Sequence, residues 1–281
     1  MLKKFFKYQS LGNDFIIFDL FKRPNFYFQK IIDQNNFANF ITKICNRNFG
    51  VGADCVLILK TNQELNLPEI IVFNSDGSLG QICLNGLRCI SHFLYKKYNF
   101  CSPFNIKMGT KIFECFINKT EQPTHLNSQT VTNKINEIKY LEKKTLNIEN
   151  KNFQGHIVDI GNPHFVIFEK TDLNWLKQNG SKIENHGYFI NKTNTEFVWQ
   201  DQDNNSNIFN MLVYERGCGI TLACSSGTTA ALWTLFNLKK IKQNEKITIK
   251  MPGGQITGWI DSQNNIFLQA ESFFVFSGEL N

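Results

Sequence analysis

Two stretches of this 281-residue chain repeat one another: NSDGSLGQICLNGLRC from Asn74 and ERGCGITLACSSGTTA from Glu215. In each, a cysteine follows the leading polar residue by nine positions, and the two cysteines, Cys83 and Cys224, stand 141 residues apart. A short Gly-containing stretch and a helical pattern come next in both copies, RCISHFLYKKY (88–98) in one and TTAALWTLFNLKK (228–240) in the other. Two further pairs keep nearly the same offset: IKMGT (106–110) with IKMPG (249–253), and LGNDFIIF (11–18) with IGNPHFVIF (160–168). Such features, in one order at nearly constant offset, mark a duplicated domain. The period is far too long for a solenoid unit.

Each half reads as short apolar strands around one clear helix. The runs FIIFD, CVLIL, EIIVF and FNIKM supply strands to the first half, and HIVDI, HFVIF, EFVWQ, FNMLVY and KITIKM supply them to the second. This pattern predicts an α+β fold of two pseudo-symmetric lobes, each a β-sheet or barrel wrapped around a central helix. The first lobe is placed at 1–122, completed by the C-terminal strand 270–281, and the second at 123–269. A polar stretch from Glu121 to Lys151 supplies the linker near its start, and INEIKYLEKKTLNI adds a strand or a helix to the second lobe.

Composition narrows the function by exclusion. No run of about 18 apolar residues appears, which argues against a membrane span. The N-terminal stretch has no apolar signal core or small-residue cleavage site, so a cytoplasmic protein is expected. The net charge of +6 comes from scattered lysines rather than a basic stripe with interleaved aromatics, which argues against a nucleic-acid partner. The eight cysteines contain no CxxC pair, so zinc-ribbon and thioredoxin spacings are missing. Most are expected to be buried thiols acting as small hydrophobes.

Cys83 and Cys224 are the exceptions. Both fall at a strand-to-helix turn, in the first turn of the helix that follows. A helix N-terminus carries partial positive charge and unpaired backbone N–H groups, which lower a thiol's pKa and hold a carboxylate. Related by a pseudo-twofold axis, the two thiols are expected to face one another across a cleft between the lobes. One thiolate would remove an α-proton and the other thiol would deliver one to the opposite face, which describes a racemase.

These residues resemble the diaminopimelate epimerase family over nearly the whole chain. The matching segments are YQSLGNDFIIFD, CNRNFGVGADCVLIL, FNSDGS, ICLNGLRC, DIGNPHFVIF, NTEFV, VYERGCGITLACSSGT and MPGG. The resemblance implies a pair of catalytic thiols at Cys83 and Cys224, no pyridoxal phosphate or metal, and a homodimer. It implies an isomerase that interconverts LL- and meso-2,6-diaminopimelate in lysine biosynthesis. Backbone at Leu84, Asn85, Ser225 and Ser226 would grip the reacting α-carboxylate. Asn13, Asn74, Asn162, Asn194, Glu215 and Arg216 fall on substrate-contacting positions. Arg216 can form a bidentate pair with the distal carboxylate, while Glu215 and the asparagine oxygens accept from ammonium groups. His164 aligns with a histidine near the thiols, and Cys55 with a position that can touch substrate.

Plain structural readings stand beside these. Asn13 and Asn162 can shape Gly-Asn turns, Glu215 and Arg216 can be an exposed charge pair, and His164 can be a hydrogen-bonded structural residue. Asp14 and Asp54 read as loop-holding residues, and Gly253 and Gly254 as a tight turn. The sequence departs from the family at Leu84, where glycine is usual and where leucine would be strained if the position needs positive φ. Ser225 and Ser226 replace Gly-Thr, and Cys55 replaces glycine or glutamine. Two rival readings follow: a racemase of another amino acid such as proline, 4-hydroxyproline or histidine, and an inactive binding relative. The distal set of Arg216 with Asn74, Asn162 and Asn194 favours diaminopimelate over the first. Retention of both thiols argues against the second.

Overall fold

The structure, a computed structural model, describes residues 3–24, 26, 28–29, 36–118, 127–136, 138–200 and 207–281. The chain divides into two units, residues 1–133 with 270–281 and residues 134–269. The linker expected to begin near Glu121 starts on residues outside the described ones.

The first unit contains β1 (Lys4–Ser10), β2 (Asn13–Asp19), α1 (Phe37–Cys45), β3 (Cys55–Asn62), β4 (Leu67–Asn74), α2 (Leu84–Tyr98), β5 (Phe104–Met108), β6 (Lys111–Ile117) and most of β7 (Ser128–Ile135). Neighbours in sequence are neighbours in the sheet, and β1 also pairs with the end of the last strand, Phe6 opposite Ser277. That strand hydrogen-bonds beside β7 as well, so eight strands close into a ring without a free edge.

Helix α2 is the central helix of this ring. Eleven consecutive residues, Leu84 through Leu94, are buried, as a helix enclosed on all sides requires. It packs on β1, β2 and β6. Asn99 ends it in a left-handed conformation, φ 54°, after Lys96 and Lys97 have placed positive charge in its last turn. Helix α1 covers the opposite face of the sheet, where Phe37, Ile41 and Ile44 pack with Ile16, Phe18, Val56 and Ile58. Strands β2 and β3 are therefore buried on both faces, which explains why their sequences are continuous apolar runs rather than alternating ones.

The second unit contains β8 (Lys139–Ile148), β9 (Lys151–Asp159), β10 (Pro163–Ile167), α3 (Leu173–Glu184), β11 (Asn194–Trp199), β12 (Ile208–Glu215), β13 (Gly219–Ile220), α4 (Ser225–Asn237), β14 (Ile247–Met251), β15 (Gly254–Ile260) and the start of β16 (Ile266–Glu279). The INEIKYLEKKTLNI segment resolves into the end of β7 and the strand β8, not a helix. The pairing senses of the first unit recur. Thus β1–β2 antiparallel, β2–β3 parallel, β3–β4 antiparallel, β4–β5 parallel and β5–β6 antiparallel are matched by β9–β10, β10–β11, β11–β12, β12–β14 and β14–β15. Helix α4 packs on β9, β10, β11 and β15, and α3 packs on the other face, against β11, β12 and β8.

Each unit thus carries two described helices where the sequence pattern shows one. The second helix in each case is short and covers the outer face. Among the described residues no helix is long and apolar enough to cross a membrane.

Candidate active site

Cys83 and Cys224 are N-cap residues, one position before their helices, with nearly identical extended backbones: φ −125°, ψ 95° and φ −128°, ψ 108°. The sulfur plays the part usually given to a serine or aspartate oxygen. Gly86 N–H donates to Cys83 Sγ at 3.4 Å, and Gly227 N–H donates to Cys224 Sγ at 3.3 Å. Both donors are glycines because the strand below lies close. A Cβ on Gly86 would stand 3.1 Å from a Leu57 methyl, and one on Gly227 only 2.6 Å from Glu196 Oε1.

Leu84, Asn85, Ser225 and Ser226 occupy the first turns, where helix geometry offers N–H groups no carbonyl four residues back. Leu84 is the first helical residue, buried, and is not among the positive-φ positions. The strain expected of leucine there is absent, because helical φ suits any side chain except proline's neighbours.

In the first unit the polar groups converge on Asn13. Its Oδ1 accepts from the Cys83 thiol at 3.9 Å and from Asn85 Nδ2 at 3.3 Å, and its Nδ2 donates to Asp54 Oδ2 at 2.8 Å. An ionised carboxylate only accepts, so Asp54 fixes which end of the Asn13 amide faces the thiol. Arg47 bridges Asp54 and Asp14, and the buried Lys7 pairs with Asp14 at 2.6 Å. Asp14 and Asp54 do hold a loop, as read, but the loop they hold positions Asn13. Below them the fully buried Arg88 donates to Asn85 Oδ1 at 3.1 Å and Ser10 Oγ at 2.8 Å, and burial pulls its guanidinium down to about 10. Asn74 lies opposite Cys55 in the β3–β4 pair, receives its thiol at 4.0 Å, and donates to Ser78 Oγ at 3.0 Å.

This network predicts an acid-dependent stability. Burial alone would raise the Asp14 carboxyl, but hydrogen bonds from Arg47 and Lys7 outweigh it and hold it at about 2, below its usual 3.8. A depressed folded-state value adds stability above pH 3.8 that is lost as pH falls through about 2. Asp14→Asn should therefore cost on the order of 2 kcal/mol at neutral pH. In urea unfolding at a series of pH values, the gap to wild type should narrow as pH approaches 2. A gap independent of pH would show that Asp14 carries no such linkage.

In the second unit the acid groups gather instead. His164 Nδ1 lies 2.7 Å from Glu196 Oε1, both side chains fully buried, and His164 Nε2 lies 3.1 Å from Asn162 Oδ1. Glu215 accepts from Thr221 Oγ1 and from the Cys224 thiol. Ser226 Oγ lies 3.1 Å from Cys224 Sγ. Asn194 accepts from the Arg216 backbone N–H at 3.0 Å, donates to Pro163 O at 2.8 Å, and is buried. The Arg216 guanidinium donates to Asn191 O at 3.1 Å.

Here one expectation is overturned. A helix N-terminus was expected to lower both thiols, yet Cys224 is pushed well above its usual value, first by burial and then by Glu215 and Glu196 beside it. The Ser226 and Gly227 hydrogen bonds oppose this and do not compensate. Burial also raises the Glu215 carboxyl, with Glu196 adding to the effect. Of the other cysteines, burial pushes Cys89 and Cys115 up to about 12 and Cys45 to about 11, the inert behaviour expected of packed thiols. Cys45, Cys89 and Cys115 are the buried thiols expected, whereas Cys55 is half-buried and Cys101 and Cys218 are exposed.

Three groups went unread in the sequence. Glu196 heads the apolar run EFVW, Arg88 opens a helix pattern, and Arg47 lies between two asparagines, Asn46 and Asn48. A charged residue inside an otherwise apolar element was the available signal for the first two.

The fold recurs in solved structures. A hydroxyproline epimerase from Agrobacterium vitis with bound trans-4-hydroxy-L-proline superposes with a TM-score of 0.72, 11% identity, and coverage of 99% of this chain and 92% of that one. A phenazine biosynthesis protein from Bacillus anthracis gives a TM-score of 0.68 at 11% identity, with 99% of both chains covered. The architecture is that of the proline racemase and diaminopimelate epimerase-like proteins, and within it the chain is an isomerase of the epimerase type. Its sequence matches the family described as diaminopimelate epimerase over residues 5–130 and 156–271. The diaminopimelate epimerase of Prochlorococcus marinus strain NATL2A is 33% identical with all of both chains covered, and that of Methanococcus maripaludis strain C6 is 32% identical with 99% of both covered. The chain belongs to the diaminopimelate epimerase family.

Proposed function

We propose that this enzyme interconverts LL- and meso-2,6-diaminopimelate without a cofactor, using Cys83 and Cys224 as the two halves of an acid–base pair at one α-carbon. The observation that carries the reading is the matched placement of the thiols. Both are N-caps of the enclosed helix of their unit, and each accepts from the N–H three residues on. In the forward step a thiolate takes the α-proton, and the electron pair left on carbon spreads into the α-carboxylate. That carboxylate is held by the first-turn N–H groups of Leu84, Asn85, Ser225 and Ser226, which stabilise the added charge. The opposite thiol then gives its proton to the other face of the carbon and becomes the thiolate.

The raised Cys224 suits it to start a turnover as the proton donor. Arg216, Asn162, Asn194 and Asn74 supply the polar contacts for the distal amino-acid head, which has a carboxylate and an ammonium to satisfy. Glu215, already bonded to Cys224, accepts from an ammonium group. A single-headed substrate such as proline leaves this distal set without a purpose. The helical backbone of Leu84 also removes the main argument for a binding protein that has lost turnover. Carried by family likeness alone, the reading extends to a homodimer acting in lysine biosynthesis in the cytoplasm.

Incubation of the reduced protein with LL-diaminopimelate in deuterated water tests it. One deuterium should enter at an α-carbon as meso product forms. Exchange of proline or 4-hydroxyproline instead would keep the chemistry and replace the substrate. An absence of exchange with every amino acid offered would leave only a binding role.

A further inference from the structure

We propose that Glu196 is a positioning residue that makes the two halves of the site unequal, reserving Cys224 as the protonated partner while leaving the corresponding place beneath Cys83 uncharged. The inference rests on the two-thiol reading but is tested apart from it.

The duplication supplies the internal control. In the first unit the spot beneath the glycine three residues after the cysteine is filled by Leu57 and Phe15, whose side chains lie 3.1 and 3.3 Å from a Cβ built on Gly86. In the second unit the same spot, beneath Gly227, is filled by Glu196. The registers confirm the equivalence. Phe15 pairs with Cys55 in the parallel β2–β3 ladder as His164 pairs with Asn194 in β10–β11, so Leu57 and Glu196 each lie two residues further along. A hydrocarbon pair in one copy is thus a buried glutamate–histidine pair in the other.

A carboxylate set against the start of a helix takes up the positive end of the helix dipole. The thiolate of Cys224 would have to share that end with an existing negative charge, whereas Cys83 shares its own with Leu57. Glu196 Oε1 meets His164 Nδ1 at 2.7 Å, and Oε2 has no hydrogen-bond partner among the described residues. The titratable groups nearest Cys224 come from three strands of the second unit. Glu215 lies on β12 and Glu196 on β11, and both act on Cys224, while His164 on β10 acts on Glu215. Strand β9 brings His156 to the same face, but beside Lys240, which follows the far end of α4. Strand β15 contributes no titratable side chain. Two acids therefore separate the copies, Glu215 where the first unit has Asn74 and Glu196 where it has Leu57, and because burial and Glu215 act on Cys224 whatever occupies position 196, the contribution of Glu196 can be removed by itself.

The test is a titration of the full-length reduced enzyme labelled with 13C at the cysteine β-carbons, with Cys83 and Cys224 assigned from their serine variants. Glu196→Gln keeps the shape and removes the charge. The Cys224 midpoint should fall by about one pH unit, roughly a tenfold rise in thiolate at fixed pH, while Cys83 stays within a few tenths. A second variant, His164→Phe with Glu196→Leu, rebuilds the first unit's arrangement and should move Cys224 in the same direction. It decides the question if the glutamine variant does not fold. A Cys224 midpoint unmoved in a folded variant would overturn the proposal, as would equal movement of both thiols. The measurement needs no turnover, so loss of the epimerase reading would appear only in the deuterium experiment.

Discussion

Cys224→Ala is expected to reduce epimerisation of diaminopimelate by about 10²- to 10⁴-fold, the range spanned by loss of one positioned acid or base. Cys83→Ala should do the same, because inversion needs a group on each face of the α-carbon and neither thiol can serve both. The fold should survive both changes. Each sulfur receives one backbone N–H at 3.3–3.4 Å, a weak cap whose loss costs about 0.5–2 kcal/mol. The rest of each helix is held by its enclosed apolar surface: α2 is buried from Leu84 to Leu94, and Ala230, Ala231, Leu232 and Leu235 of α4 are wholly buried. The decisive assay follows formation of meso product from the LL isomer alongside thermal unfolding. A folded Cys224→Ala enzyme retaining more than a tenth of wild-type turnover would remove this thiol from the chemistry. The two variants need not be identical in detail. Cys224→Ala retains the thiol that has Asn13, Asn85 and a buried arginine around it, whereas Cys83→Ala retains the one crowded by carboxylates.

The sequence was most legible where one residue type repeats at a fixed interval. The duplication, the strands at FIIFD, CVLIL and FNIKM, and the helices that follow Cys83 and Cys224 all carry their own signal, because apolar runs and helix starts are local. What escaped depends on pairing between distant segments. Glu196 meets His164 only because β10 and β11 lie parallel, with His164 opposite Asn194 and Glu196 two residues further along. Read alone, it is an acid at the edge of an apolar run. Helix α3 escaped for a different reason. NWLKQNGSKIE has asparagine, glycine and serine in its interior, all poor helix formers, and tertiary packing of Leu176 and Ile183 overrides that preference. Its one local signal is Asp172, whose carboxylate caps Trp175 N–H at 2.9 Å. The raised Cys224 was hidden in the same way as Glu196. A helix N-terminus is visible in a sequence, whereas the burial that outweighs it, and the two carboxylates that add to that burial, come from the packing of other strands.

The second large effect is expected on stability alone. Phe165→Ala should destabilise the protein by about 3–5 kcal/mol, the usual cost of deleting a buried phenylalanine ring. Phe165 is fully buried against Phe189, with ring centroids 5.5 Å apart, and Gly155 lies so close that a Cβ there would meet the ring at 2.4 Å. Gly155 has no side chain to move into the space the ring vacates, so a cavity term is expected on that side. Yet Phe165 follows His164 on one strand, and successive side chains on a strand point to opposite faces. Phe165 joins Leu176 and Ile183 of α3 on the outer face. His164 meets Glu196, which lies against Gly227 of α4. The folded fraction of Phe165→Ala should therefore keep its turnover per molecule within a few-fold of wild type, while chemical denaturation shows the large loss. Equal falls in stability and in turnover per folded molecule would mean that the two faces of β10 are coupled. The sheet would then transmit packing on the α3 side into the geometry of the thiol on the other.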